Sequence, residues 1–340
     1  MKKSDNPQQL FFQQIRMKIP PDLSFVHQIS ELLGISYDSA YRRIRGEKEI
    51  TMDELQQLSL HFGVSIDTLF SVQSDNVIFT SKALDKDNFR YDQWLGSILE
   101  NIKKIHGAKE KKVIYSAKDI PIFHYFQFPE IAAFKEFIWF KTLLQFPEYE
   151  DKLFSLDNAS REAYKIGREI LTFSLSVPTD EIWNEETFNS LIRQMEYYWV
   201  SGYFAHDEDF LLLLEKLELL LRHLKQQAEY GFKFPFGQEP KGIEGSFQFF
   251  YNDFILGENT ILFDMDGTKI SFLTCNVLNL LITTDPVFCK QVENYMNSII
   301  KKSILISSVS EKERNRFFNK LAKKIDSLKD RISYPRIISY

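Results

Sequence analysis

ISELLGISYDSAYRRIRG, residues 29–46, decides the fold of the front of this chain. Phe25, Ile29, Leu32 and Leu33 recur at the spacing of one helical face, and Ser24 stands where a helix cap is needed. Gly34 breaks that helix, Ile35 supplies an apolar plug, and Ser36 caps a second helix that closes at Gly46. A helix, a turn opened by glycine, and a second helix with small Ala40 at the crossing meet the steric needs of a helix-turn-helix.

The flanks extend the pattern. LFFQQIRMKI (10–19) is a short amphipathic segment that Pro20-Pro21 must close. Thr51 caps a further helix, with Asp53 and Glu54 suited to its first turn and Leu55, Leu58 and Phe62 facing inward. Gly63 ends it, and VSIDTLF (64–70) predicts one last turn with Leu69 and Phe70 as plugs. Five short helices are therefore expected in the first 72 residues.

The stretch 8–72 resembles the phage-repressor/Cro-type family, also called the xenobiotic-response-element family of bacterial regulators. The Gly-Ile-Ser turn at 34–36, Gly46 and the trailing LSLHFGVSIDTLF (58–70) carry the resemblance. One departure is Ile44, where the family often has a glutamate that makes a local salt bridge. The resemblance implies a recognition helix over Ser36–Arg45, laid in the major groove of double-stranded DNA. Ser36 opens it, and Tyr37, Asp38 and Ser39 are expected at base edges. Tyr41 and Arg42, one turn on, reach bases or phosphates. Arg43, Arg45 and Lys48 are expected on the phosphate backbone, with Ser24 and the amides opening the preceding helix as further donors. The plainer reading of RRIRGEK (42–48) is a solvated helix end whose cations favour the helix dipole.

Charge limits the partner. The whole chain carries a formal net charge of −5, and residues 1–72 hold eight Lys/Arg against nine Asp/Glu, so DNA must be met by a local patch. A weakly charged single head gains affinity by pairing, so a homodimer with two heads is expected. The opening MKKSDNPQQL lacks an apolar run and no stretch is long enough to span a membrane, so a cytoplasmic protein is expected.

Residues 73–89 read as a polar linker, and 90–340 as a sensory or oligomerisation domain answering to a small-molecule or protein effector. RYDQWLGSILENIKKIHGA (90–108) is helical, VIYSA (113–117) strand-like, and four helices follow over 129–146, 160–176, 185–204 and 207–231. Thr179 and Asp180 are expected to cap the third of these, and Asp207 the fourth. After the Gly/Pro-rich KFPFGQEPKGIEG, four strands are expected over 246–256, 259–265, 268–276 and 277–284, joined by short turns between antiparallel neighbours. Helices over 287–302 and 311–332 close the chain. The expected class is thus multidomain: an all-α helix-turn-helix domain, then a mostly helical α+β domain with a small antiparallel sheet, helical over 90–230 and sheet-containing over 243–340.

Sites of other chemistry are weighed against this. ILFDMDGTKI (261–270) imitates the opening motif of haloacid-dehalogenase-type phosphatases, with Asp264 as nucleophile and Asp266 as acid/base. Too little chain follows for that fold, and Asp-Gly reads as a hairpin turn. Six scattered histidines lack metal-ligand spacing, and Cys275 and Cys289 read as inert buried thiols. No catalytic, cofactor or metal site is assigned, and no enzyme is expected. The competing non-enzymatic function is a protein-interaction scaffold on the helices of 129–230, with the N-terminal domain as a docking module.

Overall fold

The computed structural model describes residues 6–16, 18–19, 23–64, 66, 77–81, 89–254, 257–275 and 278–333. The Pro20-Pro21 stop, the final turn with Leu69 and Phe70, and most of the linker over 73–89 lie outside the described residues. Two compact units divide the chain, Met1–Ile78 and Phe79–Tyr340.

In the first unit, α1 (Pro7–Arg16), α2 (Phe25–Leu33), α3 (Tyr37–Ile44) and α4 (Met52–Phe62) enclose one small core. Phe11, Phe12 and Ile15 of α1 meet Ile29, Ala40 and Leu58, one buried contact face from each helix. Gly34 ends α2 in the left-handed region (φ 61°), where a side chain would be strained, and so sets the tight entry to α3. The Ser36 hydroxyl caps α3 by accepting from the Ser39 amide, whereas Ser24 makes no side-chain cap bond. α4 opens with a full capping box: Thr51 accepts from the Glu54 amide and Glu54 accepts from the Thr51 amide.

The second unit is built on a seven-stranded mixed sheet, ordered β6-β5-β4-β1-β2-β3-β7. Its strands are β1 (Lys111–Ala117), β2 (Thr179–Trp183), β3 (Phe247–Tyr251), β4 (Thr260–Met265), β5 (Thr268–Cys275), β6 (Asn279–Thr283) and β7 (Ile304–Leu305). β1, β2 and β3 are parallel, and the rest run antiparallel to their neighbours. The helices are α5 (Tyr91–Gly107), α6 (Ile122–Tyr125), α7 (Pro129–Ile138), α8 (Arg161–Leu175), α9 (Glu185–Val200), α10 (Asp207–Tyr230), α11 (Pro286–Lys301) and α12 (Glu311–Ser333).

Strand alternation explains the layering. Val113, Tyr115, Trp183, Phe247, Phe249, Ile261 and Phe263 point into the large core under α5, α7–α10 and α12. Ile114, Ile182, Phe250 and Leu262 point the other way, onto Cys289, Val292 and Met296 of α11. With both faces covered, most residues of β1–β4 are buried, including the three polar residues of β2. Among the described residues no helix is long and apolar enough to cross a membrane.

Several expectations change. The sheet is neither small nor purely antiparallel: β1, expected as a strand at 113–117, and β2, which falls among residues read as a helix start, run parallel within it. Thr179 and Asp180 do not cap a helix but open β2, and Asn184 caps α9 instead. All five residues of β2 are buried; Asp180 is paired with Lys112 at 2.7 Å, and Glu181 lies 3.0 Å from His124 Nε2 and accepts from Trp183 Nε1 at 2.9 Å. Tertiary partners, not composition, make that polar run a strand. His206 rather than Asp207 occupies the N-cap position of α10, and its side chain makes no cap bond. β3 and β4, consecutive in sequence, are not neighbours: β1 and β2 lie between them. At 261–270, by contrast, the chain forms the hairpin expected of Asp-Gly. β4 is antiparallel to both neighbours, Asp266 (φ 50°) and Gly267 (φ 82°) form a two-residue hairpin turn, and Asp264 is paired with Lys269 at 3.0 Å.

Gly167 in mid-α8 offers a direct check of packing. A methyl there would lie 2.1 Å from the buried Phe126 ring. Replacing a mid-helix glycine by alanine ordinarily favours the helix. Here Gly167→Ala is expected to destabilise the unit by about 1–3 kcal/mol through overpacking, read as a lower midpoint in urea unfolding.

Candidate nucleic-acid interface

α3 divides its residues between two faces at helical spacing. Ala40 and Arg43, three apart, face inward and are buried, whereas Tyr37, Asp38, Tyr41, Arg42 and Arg45 are exposed along the other side. Ser36 and Lys48 are exposed at the two ends of this strip. Tyr37 and Tyr41 keep 57% and 42% of their surface in solvent, an unusual exposure for two aromatic rings one turn apart. The Arg45 guanidinium lies over the Tyr41 ring, 4.6 Å from its centroid, and 3.5 Å from Glu47. Arg42 forms no ion pair with any described residue. The strip therefore presents hydrogen-bonding aromatic and acidic groups at the helix start, and two guanidinium forks further along.

Arg43 has a different role from the one expected. Its side chain is 6% exposed and points into the unit, so it is not available on the outer face for phosphate. Nε and Nη2 donate to the two carboxylate oxygens of Glu54 at 3.1 and 2.8 Å, the bidentate fork that arginine makes best. Nη1 donates to Ser39 Oγ at 2.6 Å and to the Ser39 carbonyl at 3.3 Å. Ser39 is thereby tied to the same network, and its hydroxyl is engaged on the inner side of the helix start.

α1 fastens the other end of α3. Gln8 Nε2 donates to the carbonyls of Arg43 and Lys48, both at 2.7 Å, and its Oε1 accepts from the Ile50 amide at 3.1 Å. Gln9 donates to the Arg45 carbonyl at 2.6 Å. These bonds reach carbonyls at and just beyond the end of α3, where the Arg43 carbonyl also accepts from the Gly46 amide at 3.0 Å. They also hold the turn at Gly46 (φ 74°), where a side chain would crowd Asn6 and Gln9. Sequence reading missed Gln8 and Gln9, whose partners lie 35–42 residues away. Glu54 was legible as an acid suited to the first turn of its helix, but its pairing with Arg43 was not.

Hydrogen bonding from Arg43 holds the Glu54 carboxyl below the usual glutamate value of 4.5, outweighing the opposing effect of burial. Arg43→Ala is expected to cost the first unit about 2–3 kcal/mol, less than the ~3–5 of fully buried pairs because Glu54 keeps 17% exposure. Since the folded carboxyl is the stronger acid, the pair's contribution is full above 4.5 and is lost as pH falls through the lower folded value. Hydrogen exchange of peptides from residues 25–62 of the whole protein should report both effects. Protection falls in the variant near neutrality, and the gap to wild type narrows in acid.

A family model described as the BetR domain matches residues 15–85. No curated protein and no solved structure matches the chain. The N-terminal unit is accordingly helix-turn-helix-like and related to DNA-binding regulators.

Proposed function

We propose that the protein is a sequence-specific regulator that binds double-stranded DNA through the outer face of α3, in the manner of phage-repressor/Cro-type heads. One observation carries this: α3 is held rigidly from inside by Arg43 and Glu54, while Tyr37, Asp38, Tyr41, Arg42 and Arg45 are left facing solvent. Rigid presentation is what base readout requires, because side chains must meet base edges within tenths of an ångström. Tyr37 and Asp38 are assigned to base edges with Ser36 at the helix start, Arg42 and Arg45 to bases or phosphates, and Lys48 to the backbone beyond the helix. Ser24, whose hydroxyl makes no cap bond, is a further phosphate donor.

Affinity from one such head is modest, and a homodimer supplies the second. Two α3 helices ~34 Å apart then read a near-palindromic site. The C-terminal unit, 79–340, is assigned to holding the pair and sensing a signal, with no catalytic step. The location that follows is the DNA-containing cytoplasm. Retention of genomic fragments, including the gene's own upstream region, tests this.

Wild type is expected to retain selected fragments in a salt-sensitive way. Arg42→Ala and Arg45→Ala should each weaken binding about tenfold, and a lost phosphate contact lowers the salt slope by about one. Retention without selection, or selection that survives the double variant with the fold intact, would refute the assignment.

A further inference from the structure

Within the C-terminal unit, the starts of α5 and α8 and the segment that follows α7 line an open cleft of about 460 Å³. That volume is on the scale of small-molecule sites. Five of the lining residues are aromatic: Phe89, Tyr91, Phe140, Phe146 and Tyr149. Their rings form one continuous set. Tyr91 and Phe140 meet edge to face with centroids 5.3 Å apart, and Phe140 lies 5.2 Å from both Phe146 and Tyr149. Phe89 follows at 6.2 Å from Phe146. A recess of about 90 Å³ shares Tyr91, Glu136 and Ala163 with the cleft.

The charge of this lining is one-sided. Asp92, Glu136, Glu148 and Glu162 border the cleft, and the one lining cation, Arg90, is already paired with Asp92 at 3.2 Å. Glu148 and Glu162 are exposed, so they supply a diffuse negative field rather than a fixed contact. Glu136, in the last turn of α7, is different. It is half-buried and forms no hydrogen bond or ion pair with any described residue. Its oxygens stay open to solvent, whereas Glu130 Oε2 on the same helix is sealed. Burial pushes the Glu136 carboxyl up to about 7, and the Lys152 charge offsets part of that without reaching it as an ion pair. The Lys152 ammonium instead sits over the Tyr149 ring, 4.4 Å from its centroid. A carboxylate held partly out of water without a counter-ion costs free energy, which a bound cation recovers.

From this geometry we infer that the cleft binds a small organic ammonium ion, whose N–H groups donate to the Glu136 carboxylate while its apolar body lies against the aromatic rings. Hydrogen bonds between two ionised groups are the strong ones, and aromatic faces attract cations. An anion meets four carboxylates, and a neutral molecule of the same shape leaves Glu136 uncompensated. Binding is coupled to pH, because the ionised carboxylate is the form that holds the cation. Around Glu136 stand Arg90, Tyr91 and Asp92 of the α5 start, Glu148, Tyr149 and Lys152 after α7, and Arg161, Glu162 and Tyr164 of the α8 start. Burial pushes the three tyrosines above 10.0, so they stay neutral as Glu136 titrates. Affinity is therefore full above about 7 and is lost as pH falls through that value. The site stands independently of the DNA-binding proposal.

Benzylammonium and benzyl alcohol, alike in shape but differing in charge, are the probes. Saturation-transfer NMR on the full-length protein, with no DNA present, reads binding. At pH 8 benzylammonium is expected to bind about tenfold more tightly than benzyl alcohol. Its affinity should rise about tenfold from pH 6 to pH 8 as Glu136 ionises. Glu136→Gln keeps the shape, removes a half-buried charge, and should bring the two probes within about twofold of each other at both pH values. Asp151→Asn removes an exposed acid that does not line the cleft, and should leave the preference unchanged. Equal binding of the two probes to wild type, a preference that survives Glu136→Gln, an equal loss in Asp151→Asn, or an affinity that does not strengthen with pH would each overturn the site.

Discussion

The helix-turn-helix unit depends on the fork between Arg43 and Glu54. Each partner belongs to a second local device: Arg43 ties down the start of its own helix through Ser39, and Glu54 closes the capping box of α4. One ion pair thus couples the first turn of α3 to the first turn of α4. Burying charge costs several kcal/mol in desolvation, so the pair adds less to net stability than its short bonds imply. What it supplies is geometry. A planar fork on a carboxylate permits one orientation, and this rotates α3 so that Arg42 and Arg45 face outward.

The fold of the head was largely legible because its signals are local. Gly34, Ser36, Gly46 and the Thr51–Glu54 capping box each act within a few residues of themselves, and the apolar period points them all at one core. The difference between Arg42 and Arg43 was legible in principle: with Ala40 at the crossing, a residue three further on shares the buried face. Grouping the arginines by charge hid that. Gln8 and Gln9 were not legible, since nothing near them in sequence marks a bond to a carbonyl 35–40 residues later.

The C-terminal unit shows the converse. Strands β3–β6 were visible as apolar runs between turns, but their order was not, because β1 and β2 insert between β3 and β4. β2 was invisible for a chemical reason. TDEIW carries three polar residues in five, and each has a distant partner: Lys233 for Thr179, Lys112 for Asp180, His124 for Glu181. The aromatic wealth of the chain had an ambiguous meaning in sequence. Most of it is core.

Protection of guanine N7 from dimethyl sulfate, on a duplex selected by the protein, tests the central claim most directly, since that atom lies in the major groove. Insertion of α3 predicts protection in two patches about one helical turn apart, with the patches lost in Arg42→Ala and Arg45→Ala. Selective binding that leaves every guanine N7 open, or protection indifferent to both arginines, would contradict the assignment of α3 as the reading helix.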